Sequence, residues 1–146
     1  MIPYTKHNIN NSDIKAVVKV LKSKNLTQGP EIELLENSLK KLTKSKYATV
    51  VNSSTSALHI SCLALGLKKG DYLWTSTTSF VASSNCGLYC DAKIDFVDID
   101  LNDYNIDINQ LKKKLKKAKK KNKLPKILIV VHLAGISCKM SEIKKL

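Results

Sequence analysis

The feature that most constrains this chain is an alternation of apolar strands and helices that begins near residue 47. Four apolar runs, at residues 47–51, 72–75, 93–97 and 126–131, predict strands. Helical spacing predicts helices after them at 54–65, 80–89, 107–121 and 140–146. The strand runs are continuously apolar, which is typical of parallel strands covered on both faces. We therefore predict an α/β fold of three α/β/α layers around a mostly parallel, four-stranded sheet.

Two further helices, at residues 12–22 and 31–42, precede this alternation. The loop between them, residues 25–30, ends in a Gly-Pro turn signal. We expect an N-terminal helical segment over residues 1–45 and an α/β domain over 46–146. The sequence stops one turn into the last predicted helix, and the last strand has no closing partner. The α/β domain is therefore predicted to be incomplete.

Composition narrows the functional classes. The net charge of +13 suits a nucleic-acid binder, but all 25 basic residues are Lys. Arg, whose planar fork reads guanine and grips phosphate, is absent. We interpret the charge as compositional drift, and the lysine-rich stretch at 112–123 as a solvated helix. The sequence has no signal peptide and no run of about 20 apolar residues, so we expect a cytoplasmic protein that binds neither nucleic acid nor a membrane.

The four cysteines do not predict a metal site. Cys86 and Cys90 lie four residues apart on a predicted helix and share a face. Zinc needs two more close ligands, and Cys62 and Cys138 are far away in sequence. We expect buried or half-buried free thiols in a reducing compartment.

In parallel α/β sheets, ligands bind in the loops that follow the strands. The first such loop begins Asn52-Ser53-Ser54-Thr55, with small hydroxyl residues at a strand-to-helix turn. Free backbone N–H groups and the helix dipole favour phosphate there. The residues alone support a phosphate cup and an ordinary Ser/Thr helix cap equally. The loop is no Walker motif, because the glycine spacing and the lysine are absent.

The later loops carry weaker signals. Phe80, at the end of a polar loop, would stack on a planar ligand or belong to the core. Asp98 and Asp100 follow a strand, and would hold a ligand or make an Asx turn. His132 follows the most apolar strand, and a lone histidine in such a place is more often structural.

Taken in order, six motifs resemble the DegT/StrS-type family of sugar aminotransferases, which are fold-type I pyridoxal-phosphate enzymes. They are Ile2-Pro3-Tyr4, Leu26–Pro30, Asn52–Leu58, Thr78–Ser83, Phe96–Asp100 and Val131–Gly135. The resemblance implies an N-terminal part of the family's large domain and pyridoxal 5'-phosphate as cofactor. The first three motifs are most similar to the aminotransferases of pseudaminic acid biosynthesis. That similarity implies a homodimer that moves an amino group from glutamate to a UDP-linked 4-keto-6-deoxy amino sugar.

The resemblance also implies site residues. Ser54 and Thr55 match the residues that hold the cofactor phosphate, and Phe80 matches the aromatic that stacks on the pyridine ring. The residues that match the sugar-nucleotide site are Tyr4, Lys24, Asn25, Leu26 and Thr27. Asp98 and Asp100 match a family pattern too, and we assign them a structural role. The family's Schiff-base lysine and the acid that pairs with the ring nitrogen lie in later segments. No catalytic residue is therefore expected here, and we expect these 146 residues to be inactive alone.

Three alternatives stay open. A dehydratase relative of the same family replaces the Schiff-base lysine by histidine. A non-catalytic fragment would bind a full-length partner, because the family builds its active site from two subunits. A lysine-driven binder of nucleic acid or of anionic surfaces, which we consider least supported, would show salt-sensitive binding to DNA.

Overall fold

The two N-terminal helices begin at residues whose chemistry favours a helix start. In the computed structural model, which describes residues 2–3 and 5–146, they belong to the first of two units, divided between Val50 and Val51. Helix α1 (Asn11–Leu21) has a capping box, in which the Asn10 side chain accepts from the Asp13 N–H and the Asp13 carboxylate accepts from the Asn10 N–H. Helix α2 (Pro30–Thr43) has proline at its first position. Both predicted helices are confirmed.

The second unit alternates helices and parallel strands. Its elements are α3 (Ser54–Ala64), β1 (Tyr72–Ser76), α4 (Ala82–Leu88), β2 (Lys93–Val97), α5 (Ile108–Lys120), β3 (Ile127–Ile129), a 3₁₀ turn (Leu133–Gly135) and α6 (Met140–Ile143). The strand order is β2-β1-β3, and both neighbours of β1 pair with it in parallel. No helix in the described part of the chain is long and apolar enough to cross a bilayer.

Adjacent residues of the central strand build the two cores of this unit. Leu73 and Trp74 point to opposite faces of β1, because side chains alternate along a strand. Leu73 packs in a cluster with residues of α3 and α4, whereas Trp74 packs with Leu111 of α5 and with Val97. Leu73, Trp74 and Leu111 are all buried. Helices therefore cover the sheet on both sides, which confirms the predicted three-layer architecture.

The predicted strand at residues 47–51 is wrong, and the sheet has three strands instead of four. A strand requires a second backbone about 4.8 Å away to complete its hydrogen bonds. Among the described residues, none provides such a partner for this segment. The Val50 N–H instead donates to the Glu36 carboxylate at 3.0 Å. The segment is apolar and partly β-branched, but it forms no strand.

The connections of the sheet identify where a ligand fits. The chain leaves β1 towards α4 on one face, and it leaves β3 towards α6, whose Ile143 packs on the opposite face. Strands β1 and β3 are neighbours. Where loops from adjacent parallel strands diverge to opposite faces, a crevice opens at the carboxyl ends of the strands. By this rule, a ligand is expected near the loops after Ser76 and Ile129.

Candidate cofactor-binding site

Side chains at and just before its first turn determine where α3 starts. Ser53 is the N-cap, with extended backbone at φ −160°, and its Oγ accepts from the Ser56 N–H at 3.1 Å. The Ala57 N–H donates to the Ser53 carbonyl at 3.0 Å. The Ser56 hydroxyl in turn donates to Asn52 Oδ1 at 2.7 Å. These bonds use the third and fourth amides of the helix and hold the turn in one shape.

Within the part of the chain that the structure describes, the first two amides of α3 have no partner. Neither the backbone N–H nor the hydroxyl of Ser54 or Thr55 makes a hydrogen bond within the described residues. Ser54 is exposed and Thr55 is half-buried. The helix dipole adds partial positive charge at this end. Four unused donors at a helix N-terminus fit a phosphate group without a charged side chain. The observed cap does not exclude a phosphate cup, because the two would use different residues.

Phe80 is a surface residue, not a core residue. Its side chain is 68% exposed, at the end of the loop that follows β1. The loop is anchored at both ends, since the Thr77 N–H donates to the Val97 carbonyl at 3.0 Å and the Ser83 N–H donates to the Phe80 carbonyl at 2.9 Å. An aromatic ring held at the carboxyl end of a parallel strand and left exposed is suited to stack on a planar ligand.

The two acids after β2 make hydrogen bonds within their own loop, and Asp98 also approaches the loop after β1. Asp98 Oδ1 accepts from the Ile99 N–H at 2.9 Å and lies 3.5 Å from the Thr77 hydroxyl. Asp100 Oδ1 accepts from the N–H and the side-chain amide of Asn102, at 3.0 and 2.7 Å. These hydrogen bonds, led by the backbone one, lower the pKa of Asp100. The Asx turn considered from the sequence is thus present at Asp100, and these contacts agree with a structural role.

Asn105 is a residue of this edge that the sequence analysis missed. It is only 3% exposed. Its amide nitrogen donates to the Ile136 carbonyl at 3.2 Å, and its Oδ1 accepts from the Leu133 N–H at 3.2 Å. Asn105 therefore ties the loop after β2 to the turn after β3. The available sequence signal was an amide residue between two apolar positions, Tyr104 and Ile106, which is weak alone.

His132 stabilises the turn after β3. Its Nδ1 accepts from the Cys138 N–H at 3.1 Å, while the Cys138 thiol donates to the Val131 carbonyl at 3.1 Å. Ala134 in this turn has φ 51°, a left-handed conformation that costs energy for a residue with a Cβ. The structural interpretation of His132 from the sequence agrees with these contacts.

The predicted sugar-nucleotide residues belong to the first unit. Tyr4 lies outside the described residues. Lys24, Asn25, Leu26 and Thr27 lie in the loop between α1 and α2, and all four are exposed. A Cβ on Gly29 would lie 2.7 Å from the Asn25 carbonyl oxygen, so the loop folds back closely on itself. Their role in substrate binding stays a prediction.

All four cysteines are free and buried, and Cys86 and Cys90 share the cluster around Leu73, as their spacing predicted. Burial, with smaller effects from Cys86, raises the pKa of the Cys62 thiol to about 12. No group of metal-binding side chains occurs among the residues that the structure describes.

Comparison with known proteins identifies the family. The sequence profile of the DegT/DnrJ/EryC1/StrS aminotransferase family matches residues 7–146. The chain belongs to this family. A UDP-4-amino-4,6-dideoxy-N-acetyl-beta-L-altrosamine transaminase from Campylobacter jejuni is 42% identical over all 146 residues of the chain. The chain spans 38% of the length of that relative.

Solved structures of the family share the fold. Helicobacter pylori PseC, an aminotransferase involved in the biosynthesis of pseudoaminic acid, is 33% identical with a TM-score of 0.84. The match covers 98% of this chain and 37% of that one. A putative sugar aminotransferase from Streptococcus pneumoniae, solved in its PLP form, is 27% identical with a TM-score of 0.87, over 99% of this chain and 35% of its own. The predicted relation to fold-type I aminotransferases is confirmed.

Proposed function

We propose that the protein is a pyridoxal-phosphate-dependent transaminase that moves an amino group from glutamate to a UDP-linked 4-keto-6-deoxy amino sugar, in a pathway of the pseudaminic acid type. Two UDP-amino-sugar transaminases from Campylobacter jejuni, 42% and 39% identical, support the substrate class, and so does PseC. The observation that carries the proposal is the pair of free amides and hydroxyls at Ser54 and Thr55.

These residues have distinct tasks. The N–H groups and hydroxyls of Ser54 and Thr55 donate to the cofactor phosphate, and the dipole of α3 stabilises its negative charge. Phe80 packs against one face of the ring and fixes its orientation. Tyr4 and the loop from Lys24 to Thr27 contact the sugar nucleotide. When bound, pyridoxal phosphate supplies an electron sink for the electrons released at the amino-bearing carbon.

We further propose that these 146 residues hold the cofactor without turning over, because the family's Schiff-base lysine segment has no match among them. We also propose that the enzyme works as a homodimer, because the family builds its active site from two subunits. The purified 146-residue chain, supplied with pyridoxal phosphate, glutamate and a UDP-4-keto sugar, should form no 2-oxoglutarate above a protein-free control. Steady formation of 2-oxoglutarate would contradict this part of the proposal.

The phosphate cup is best tested with pyridoxamine 5'-phosphate and calorimetry. This cofactor form has no aldehyde, so it does not react with the 25 lysines of the chain. A hydrogen bond to a charged group contributes about 1.5–3 kcal/mol, so Ser54→Ala with Thr55→Ala should weaken binding at least about tenfold even if the amides still bind. Pyridoxamine, which lacks the phosphate, should bind far more weakly than pyridoxamine phosphate.

The matched control is Ser61→Ala, which removes an exposed hydroxyl from the same helix, one to two turns beyond the cup. It should leave the affinity unchanged. Equal losses in the control and in the double variant, or equal affinity for the two forms of pyridoxamine, would refute the phosphate cup.

Phe80 has an internal control, because Phe96 is the only other phenylalanine. Both side chains are partly exposed, 68% for Phe80 and 44% for Phe96. Aromatic stacking contributes about 0.5–1.5 kcal/mol, so Phe80→Leu should lower affinity for pyridoxamine phosphate about fivefold. Phe96→Leu should not. A loss confined to Phe96→Leu would exclude Phe80 as the ring contact.

A further inference from the structure

A cavity of about 210 Å³ lies between α5 and strands β1 and β2. Trp74 forms part of its wall, and Lys117, Lys121 and Lys123 surround it. It lies on the face of the sheet covered by α5, whereas α3 and its free amides belong to the opposite face. It is therefore separate from the proposed phosphate cup.

The charge around this cavity is unbalanced. Lys114 Nζ lies 2.6 Å from the Asp95 carboxylate and 5.0 Å from the centre of the Trp74 ring, so this lysine and this acid neutralise each other. Among the described residues, Lys117, Lys121 and Lys123 form no ion pair. Three lysines without an ion-pair partner among the described residues therefore line one concave surface, which favours an anion there.

The helical spacing of α5 does not by itself explain why these three lysines line the cavity. Residues 114, 117 and 121 follow the three- and four-residue spacing that places side chains on one helix face. Cations in a last turn stabilise a helix dipole, but Lys123 lies beyond α5 and still faces the same cavity.

We propose that this cavity is a binding site for a diphosphate group, either free or as part of a nucleotide. Three lysines without an acidic partner suit a polyanion such as diphosphate more than a singly charged anion. Lys117, Lys121 and Lys123 supply the charge, and each ammonium group carries three donors for phosphate oxygens.

The single tryptophan provides the measurement, because Trp74 is the only one in the chain and lines the cavity. Trp74 fluorescence is titrated with inorganic diphosphate, UDP and uridine at fixed ionic strength, and calorimetry repeats each titration in case the fluorescence does not change. We expect saturable binding of diphosphate that weakens with added salt, and none of uridine. UDP tighter than diphosphate supports a nucleotide as the source, and equal affinities support the free anion.

A matched pair of variants tests the residues. Replacing Lys117, Lys121 and Lys123 by glutamine should weaken diphosphate binding about tenfold, since each exposed ion pair contributes about 0.2–1 kcal/mol. Replacing Lys116, Lys119 and Lys120 of α5 by glutamine removes the same number of charges but none of the cavity lysines, and should change the affinity less than about twofold. Circular dichroism checks that both variants fold.

Three results would overturn the proposal. One is an equal loss in both triple variants, which would assign binding to diffuse charge. Another is the absence of saturable heat and fluorescence change with diphosphate. The third is single-stranded DNA that displaces diphosphate at equal phosphate concentration, which would assign this surface to nucleic acid.

Discussion

Gly87→Ala tests how tightly α4 packs on the sheet, because two opposing effects compete at this position. Gly87 is buried in α4. An added Cβ would meet Ile94 Cδ1 below any normal contact distance, and would lie 3.2 Å from both Cβ and Cδ1 of Leu73. Leu73 is fully buried, so its side chain is surrounded by other core residues. The substitution therefore forces a methyl group into the interface between α4, β1 and β2.

The relative sizes of the two effects decide whether Gly87→Ala stabilises or destabilises the fold. Alanine gains up to about 1 kcal/mol over glycine from helix propensity, and less near a helix end, where Gly87 lies. Overpacking a filled core costs about 1–3 kcal/mol. We expect Gly87→Ala to lower the free energy of unfolding by about 1 kcal/mol, in spite of the better helix residue.

A double-mutant cycle isolates the clash. Ile94→Val deletes Cδ1, the nearest atom, and costs about 0.5–1.5 kcal/mol alone. In that background, Gly87→Ala should cost at least about 0.5 kcal/mol less than in the wild type, because contacting residues couple by that much or more. Urea unfolding followed by Trp74 fluorescence and circular dichroism measures all four variants. A higher stability of Gly87→Ala in the wild-type background, or the same cost in both backgrounds, would refute the packing argument.

Further predictions concern the loops, acid stability and the thiols. Asn105→Ala should cost about 1–3 kcal/mol and speed hydrogen exchange of the turn after β3, because it removes the two hydrogen bonds that tie this turn to Asn105. Asn102→Ala on the surface should cost little. At Asp71, burial favours a higher pKa, but the hydrogen bonds from Lys126 and the Lys68 amide outweigh it and hold the pKa below 3.8. The ionised Asp71 carboxylate should stabilise the fold above about pH 4, and this stabilisation should be lost as the pH falls through the lowered pKa. Asp71→Asn should therefore make the free energy of unfolding less dependent on pH in the acid range. An unchanged pH dependence would contradict this role of Asp71. All four buried thiols, including Cys62, should react with a disulfide reagent only after urea unfolding, and rapid labelling of the native chain would contradict their burial.

Local sequence signals predicted the helices and the three paired strands, but they failed where structure depends on distant pairing. Residues 47–51 have the composition of a strand, yet composition does not report whether another strand lies alongside. The helix predicted from residue 80 begins at Ala82, which leaves Phe80 in the loop. Both differences affect the site, because each lies beside a loop that carries a proposed cofactor contact.

The same difference between local signals and distant contacts applies to the candidate site. The candidate phosphate cup was predictable because Ser53, Ser54 and Thr55 are consecutive, and helix-start chemistry is local. Asn105 was not, because its partners Leu133 and Ile136 lie 28 and 31 residues away in sequence. No periodicity or motif links positions so far apart. Only the parallel sheet, which brings the ends of β2 and β3 to one edge, makes their contact understandable.

Two substitutions of Ser53 distinguish helix capping from phosphate binding at the start of α3. Its Oγ caps α3, and the cap in turn orients the free amides of Ser54 and Thr55. Ser53→Ala should destabilise the fold by about 1 kcal/mol. Ser53→Asp should retain the stability, because aspartate caps as well as serine, but its charge beside the bound phosphate should weaken pyridoxamine phosphate binding about tenfold. If Ser53→Asp binds as tightly as the wild type while remaining folded, the phosphate does not lie at this helix start, and the proposed cofactor contacts of Ser54 and Thr55 would be wrong.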